Sequence, residues 1–261
     1  MMIIAPRVQA LALTALLILA VGAAPAPESK SVATADRFLD SPTLDFAQAR
    51  QALALYEEAL ATAAAPDATL LARLSQVCFI LGDLADKSQR QAYYEKGETC
   101  ADRLLQVQPH GVAGHYWKAM NLCGQAEVGG RLKGMKYLPR ILEELKRAVA
   151  LDPAYDQAGP HRVLGRIYYE APRRPLSVGD LQQSREHLTA AVRLAPECST
   201  NHLYLAETLL RLNEAGKARQ ELRQVLTATR HAVQPQGLEE DRREARRRLA
   251  ELAGNALKTG Q

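Results

Sequence analysis

Aromatic residues and continuous runs of valine and isoleucine are scarce in this 261-residue sequence. Aromatics make up 5% of the chain, and alanine and leucine dominate its hydrophobic 47%. Because aromatic and β-branched residues favour strands, whereas alanine and leucine are strong helix formers, this composition predicts a helical protein. The charged fraction of 24% is ordinary for a folded protein, which excludes disorder along the whole length.

The sequence also lacks a large net charge. A formal charge of +4 does not supply the concentrated basic face that nucleic-acid binding needs. The run "RREARRRL" near the C-terminus is balanced by neighbouring acids, among them Glu239, Glu240 and Asp241. A nucleic-acid partner is therefore not expected.

Motifs that carry enzyme chemistry are missing. There is no Gly-rich phosphate loop, no Gly-x-Ser-x-Gly elbow and no His-Glu-x-x-His motif. The four cysteines, Cys78, Cys100, Cys123 and Cys198, match no zinc spacing and form no Cys-x-x-Cys pair. We predict no enzymatic activity, no cofactor and no metal. One disulfide among the first three cysteines and buried free thiols both remain open.

The N-terminus has the layout of a secretory signal peptide. A basic residue precedes an apolar run from Leu11 to Val21, and small residues follow. The run is shorter than the roughly 20 residues that span a bilayer, which favours cleavage after Ala23 over an uncleaved anchor. We predict a signal peptide over 1–23, a flexible lead over 24–42, and a periplasmic or otherwise exported protein with no stable membrane span after cleavage. No cysteine lies near the cleavage point, so a bacterial lipid-anchoring signal is absent.

Prolines recur at a nearly constant interval. Pro66, Pro109, Pro153 and Pro196 are spaced by 43, 44 and 43 residues, and each lies between the end of one helical pattern and the start of another. A regular period built from two helices predicts a helical solenoid.

The residues within each period indicate the type of solenoid. After three of the turns come "HYWKAMNL", "HRVLGRIYY" and "HLYLAETLL", with a small residue four positions after each histidine. This resembles the tetratricopeptide repeat (TPR), whose pattern of about 34 residues forms helix A, a turn and helix B. We predict an all-α, TPR-type solenoid of helical hairpins over 43–256, with about four to five repeats and a capping helix near 237–256.

The period exceeds the TPR length, and the excess lies between helix A and helix B. The extra segments are "LADKSQRQ", "CGQAEVGGRLKGMKYLPR" and "EAPRRPLSVGD". We predict extended loops within the repeats, emerging on one edge, with Asp180 capping the helix that follows the third.

Basic residues in two of these segments predict a docking edge. They would attract a partner subunit or an acidic surface. The alternative is that the loops only brace neighbouring repeats, with Leu138, Leu176 and Val178 turned inward. The basic residues are Arg131, Lys133, Lys136, Arg140, Arg173 and Arg174.

Three histidines, His115, His161 and His202, occupy the same position in successive repeats. Zinc ligands lie about 2 Å from the ion, whereas neighbouring helix axes are about 8–10 Å apart, so three such histidines do not converge on one ion. We predict that each fills a packing position between helix A and helix B.

The helix-A face is the predicted binding groove, by analogy with other TPR proteins. Aromatic and apolar positions suit a peptide or a small apolar ligand; the alternative is a solvated face with no ligand. The groove positions are Gln76, Phe79, Tyr116, Met120, Arg162, Arg166, Tyr169, Glu170, Glu207 and Arg211.

The long repeats, the leader and phrases such as "HYWKAMNLCGQ" and "GPHRVLGRIYYEAPRRPLSVGD" resemble the T component of tripartite, binding-protein-dependent (TRAP) transporters. The same helical pattern is similar to regulators of microtubule dynamics in eukaryotes. The transporter resemblance implies a periplasmic homo-oligomer that associates with a solute-binding protein. We predict an exported TPR scaffold that acts as the accessory component of such a transporter; the alternative is a generic periplasmic scaffold for envelope protein assembly.

Overall fold

The computed structural model describes residues 30–173, 175–232 and 237–259, with side chains described as far as residue 254. Within these ranges the chain forms ten α-helices and no β-strands. They are α1 Lys30–Leu39, α2 Phe46–Thr62, α3 Ala68–Leu84, α4 Lys87–Val107, α5 Val112–Leu151, α6 Tyr155–Glu170, α7 Leu181–Leu194, α8 Ser199–Arg211, α9 Ala215–Thr227 and α10 Gly237–Thr259. The predicted signal peptide over 1–23 and the predicted edge residue Arg174 lie outside the described residues.

Consecutive helices pack as hairpins, which confirms the all-α, TPR-type solenoid. α1 packs on α2, α3 on α4, α6 on α7 and α8 on α9, and α10 covers the end of the stack against α8 and α9. The two halves of α5 form a further hairpin, because Gly130 has a non-helical backbone inside that helix. The Tyr137 hydroxyl of the second half donates to Gln125 of the first half at 3.1 Å.

A buried tyrosine shows how small residues bring the hairpins close together. Tyr94 of α4 is fully buried between Gly82 of α3 and Gly124 of α5. A Cβ atom on these two glycines would lie 2.2 Å and 2.4 Å from the tyrosine ring. The Tyr94 hydroxyl donates to Asp83 at 2.6 Å, so its polar end is satisfied within the core.

The prediction of a flexible lead over 24–42 is wrong for its second half, and the solenoid begins before residue 43. Helix α1 covers Lys30–Leu39 and packs against α2. Ala35 is fully buried, and the Tyr56 hydroxyl of α2 donates to Asp36 at 2.6 Å. Apolar residues of α1 recur at helical spacing and cover the side of α2 that the next hairpin leaves free.

Two of the three predicted loops are wrong. α3 ends at Leu84 and α4 begins at Lys87, so only two residues connect them. The segment containing "GGRLKG" is helical on both sides of Gly130. The excess length of these repeats extends the helices, although most of the added residues are exposed.

The third predicted loop is confirmed. Residues 171–173 and 175–180 are non-helical, and Arg173 and Gly179 form an isolated β-bridge. Prolines in "EAPRRP" cannot continue helix α6, since proline lacks a backbone donor and clashes with the preceding turn. Asp180 caps α7 as predicted: its carboxylate accepts hydrogen bonds from the backbone N–H groups of Gln182 and Gln183 at 2.9 and 3.2 Å.

None of the described helices is both long enough and apolar enough to cross a membrane.

Candidate functional site

Two of the shared histidines link helix A to helix B and to the preceding proline turn. Nδ1 of His115 lies 2.6 Å from Glu144, and its Nε2 lies 3.2 Å from the Pro109 carbonyl oxygen. His202 repeats this geometry with Glu221 at 2.6 Å and Pro196 at 2.9 Å. Each ring is buried and bonded at both nitrogens, as expected of a packing position.

The acid opposite His115 is held in its charged form. Burial raises the pKa of Glu144, but hydrogen bonds from His115 and Lys118 outweigh it and lower the pKa below its usual value. The Lys118 ammonium lies 3.1 Å from this carboxylate and 2.8 Å from Asp102. This cluster ties α4 to both halves of α5.

The middle histidine has a different partner. Nδ1 of His161 faces Nδ1 of His187 at 2.9 Å, and the His187 ring stacks on Tyr168 with 5.6 Å between centroids. Burial, His161 and Lys146 lower the pKa of His187 to about 4, so the ring is neutral near pH 7. Across the described ranges, no three histidine, cysteine or acidic side chains are arranged to hold a metal ion.

All four cysteines are free thiols. Cys78 and Cys100 are buried, and burial raises the pKa of each. Burial likewise raises the pKa of Cys123 to about 12. Thiols held in the neutral form are poor nucleophiles, so these residues serve as small apolar side chains.

A cavity of about 520 Å³ lies on the helix-A face, between α3, α5, α6 and α8. Its apolar lining includes Phe79, Met120, Val163, Ile167 and Tyr204. Five of the ten predicted groove residues line it, namely Phe79, Met120, Arg162, Arg166 and Glu170. The structure thus brings half of the predicted groove together around one cavity.

The other five predicted groove residues lie elsewhere. Tyr116 is fully buried, and its hydroxyl donates to Asp156 at 2.5 Å. Gln76 accepts a hydrogen bond from Arg73 at 3.1 Å and lines two smaller cavities. Tyr169, Glu207 and Arg211 belong to a polar cluster around Arg166.

This cluster fixes the charged rim of the cavity. The Arg166 guanidinium lies 4.5 Å above the Tyr204 ring and pairs with both Glu170 and Glu207. Burial disfavours its charge, but Glu207, Tyr204 and Glu170 raise the pKa of Arg166 above its usual value. Arg211 stacks over Tyr169 at 4.6 Å from its ring centroid. The charges at the rim are therefore already paired within the chain.

Arg162 supports the cavity wall rather than offering a free charge. Asp156, Gln157 and Ala158 have φ values of 48°, 55° and 61°, a left-handed turn that non-glycine residues rarely adopt. The buried Arg162 side chain donates to the backbone oxygen of Gln157 at 3.0 Å and contacts Asp156 at 3.3 Å. These bonds offset the strain of the turn.

Several lining residues were not predicted. Cys123, Gly124 and Glu127 follow Met120 on α5, and Ile167 follows Val163 on α6. On α5 they continue the i, i+3, i+4, i+7 spacing that starts at Met120, a residue already assigned to the groove. The TPR positions used for the prediction end at Met120 on α5, whereas the cavity lining continues to Glu127. On α6, Val163 and Ile167 each lie one residue after a predicted groove position.

A second cavity of about 540 Å³ adjoins the first and shares Glu127, Ile167 and Glu170 with it. Its other walls come from α5, between Ala126 and Leu138, and from the loop residues Ala171, Pro172, Leu176 and Ser177. Leu176 is 74% exposed at this edge, so it does not brace the core as the alternative interpretation required.

The predicted basic edge lies around this second cavity. Arg131 lines it, and Lys133, Lys136 and Arg173 are exposed nearby in sequence. Arg140 instead donates to Glu98 of α4 at 2.6 Å. The docking role of this edge stays a prediction.

Residues 32–174 match the sequence profile of the family described as regulator of microtubule dynamics protein 1-3. This match covers more than half of the chain. The chain belongs to this family. The segment shared with the regulator of microtubule dynamics family runs from α1 to the end of α6 and a few residues beyond it. It therefore includes the α3 residues that line the first cavity and the α5 and α6 residues that line both cavities.

A solved structure of a TPR protein shares the fold. TTC0263, a thermophilic TPR protein of Thermus thermophilus, is 20% identical with a TM-score of 0.59, and the alignment covers 84% of this chain and 98% of that one. A MamA RS-1 double mutant is 22% identical with a TM-score of 0.46, covering 75% and 94%. No curated protein matches the chain. The likeness to TTC0263 shows that this regulator of microtubule dynamics family member has the TPR fold.

Proposed function

We propose that the chain is an exported TPR scaffold that binds a partner protein in the cavity on the helix-A face, as the accessory component of a TRAP-type transport system. The observation that supports binding is the cavity itself. Phe79, Met120 and Ile167 form an apolar lining, and the paired charges of Arg166 and Glu170 lie at its rim. Apolar pockets with a few fixed polar groups are the usual form of a recognition site.

The size of the cavity suits one or two apolar side chains of a partner. Burying a single leucine or phenylalanine side chain contributes about 1.5–3 kcal/mol to binding. The Arg166 guanidinium is already paired with Glu207 and stacked on Tyr204. This side chain therefore loses little conformational freedom when a partner binds, which lowers the entropic cost of binding. The partner is therefore a protein segment with one or two bulky apolar residues.

The export and transporter parts of the proposal rest on the sequence. The layout of residues 1–23 is that of a signal peptide, and the phrases in α5 and α6 resemble the transporter T component. The family name describes an action on microtubules, and we carry over from it only the binding of another protein.

The test uses the solute-binding protein encoded beside the gene, if permease subunits adjoin it. Titration calorimetry with the purified chain should show binding. Val163→Trp, which adds an indole to the cavity lining, should weaken binding at least tenfold. Val107→Trp is the matched control, because Val107 is 42% exposed at the end of α4.

Absence of binding between the two purified proteins would exclude the transporter role. Binding that Val163→Trp leaves unchanged would place the contact outside the cavity. Thermal melting of both variants checks that each keeps the fold.

A further inference from the structure

Several described cations of the helical hairpins form ion pairs, but those around the second cavity do not. Arg90, Arg147 and Arg166 each form an ion pair, and so does Arg140 beside the edge. Within the described ranges, no ion pair involves Arg131, Lys133, Lys136 or Arg173, and all four are exposed. We name these four residues the basic edge. Their charge is available to a partner.

Exposed apolar side chains lie at the same place. Leu132 is 80% exposed, Leu176 74% and Met135 54%. They account for three of the five large hydrophobic residues exposed in the described part of the chain, and Met135 and Leu176 line the second cavity. Clustered apolar exposure of this kind marks an interaction surface.

We propose that the basic edge and the second cavity bind an acidic amphipathic helix of a partner protein. Its apolar stripe enters the cavity between α5 and the loop residues Pro172 and Leu176. Its carboxylates contact Arg131, Lys133 and Lys136. Apolar residues at i, i+3, i+4 and i+7 of such a helix are the usual anchors in a groove with two walls.

The cavity favours a helix over an anionic membrane surface. Glu127 and Glu170 line the space beside the apolar residues, and each is already paired, with Arg90 and Arg166 respectively. A uniformly anionic surface would bring charge against both carboxylates. A helix can place its carboxylates over the basic edge and keep them away from Glu127 and Glu170.

The probe is a designed fluorescein-labelled peptide of about five helical turns, with leucines at i, i+3, i+4 and i+7 and glutamates on its flanks. Its twin carries lysines in place of glutamates. Fluorescence anisotropy with the full chain should show the acidic peptide binding at least tenfold more tightly than its twin. This affinity should fall as salt is raised, because exposed ion pairs are screened.

Variants of the edge locate the site. Arg131→Glu, Lys133→Glu and Lys136→Glu together should weaken binding at least tenfold. The matched control reverses three exposed cations elsewhere, Arg50→Glu, Lys87→Glu and Arg103→Glu, with the same change of charge and no expected loss.

Apolar variants test the cavity separately. Leu132→Ser with Leu176→Ser should weaken binding at least fivefold, whereas Val107→Ser with Leu151→Ser should not. Val163→Trp in the first cavity should leave this peptide's affinity unchanged, which separates this site from the proposed function.

Equal binding of the two peptides, or equal loss in the edge and control variants, would overturn the proposal. A second contradicting result is that the acidic peptide does not bind, whereas the chain sediments with vesicles of phosphatidylcholine and phosphatidylglycerol and loses this sedimentation in the Leu132 and Leu176 variants. That result would assign the edge to a membrane surface instead.

Discussion

Single histidines link the two helices of a hairpin in this chain, and their partners differ. His115 and His202 each face a glutamate, whereas His161 faces His187. The sequence predicted the packing position, because the three histidines share a register. It did not predict the partners, which lie 19 to 29 residues farther along the chain and depend on how helix B is rotated.

The histidine pair predicts a loss of stability in mild acid. The pKa of His187 is lowered to about 4, so below its ordinary value of about 6.5 the unfolded chain takes up a proton that the folded chain excludes. Stability is fully present above about pH 6.5 and falls towards pH 4, by about 1–2 kcal/mol after allowance for screening at this half-buried side chain. Urea unfolding across that range measures it.

His187→Phe is the matched variant, because phenylalanine keeps the stacking on Tyr168 and carries no titratable group. Its loss of stability between pH 6.5 and 4 should be smaller than that of the unmodified chain. The same loss in both proteins would contradict the role given to His187.

Helix α5 is the element on which sequence reasoning failed most clearly. Its glycines and Pro139 are typical of a loop, yet only Gly130 has a non-helical backbone, with φ 72° and ψ −176°. The helix continues on both sides because Ile141, Leu145 and Ala148 are buried against the core. Tertiary packing overrides weak local propensity here.

Two glycines of α5 provide a matched test of this break. Gly130→Ala should destabilise the protein by about 1–3 kcal/mol, since only glycine adopts this backbone region readily. Gly134→Ala should stabilise it by about 0.5–1 kcal/mol, because Gly134 is helical and a Cβ there meets no atom closer than 3.5 Å. Chemical denaturation measures both.

A straight helix through this region would give a different result. Both substitutions would then raise stability, because alanine is the stronger helix former at every interior position. Gain of stability in Gly130→Ala would therefore contradict the hairpin formed by the two halves of α5.

For the whole molecule, the fold followed from the sequence more completely than the binding surfaces did. The proline period and the small residues after each histidine predicted the stack of hairpins. Five groove residues, including Phe79 and Met120, line the first cavity as expected. The second cavity was not predicted, because most of its lining comes from the middle of α5 and from Ala171, Pro172, Leu176 and Ser177. These two segments are distant in sequence and were both interpreted as loops.

The central claim is that the first cavity on the helix-A face binds a protein partner. The most direct measurement is photo-crosslinking in the native host, with benzoylphenylalanine replacing Val163 in the cavity lining or Val107 on the exposed end of α4. We expect Val163 to crosslink to one discrete protein and Val107 to crosslink to none. If Val163 gives no crosslinked protein, or the same products as Val107, the cavity is not the binding site.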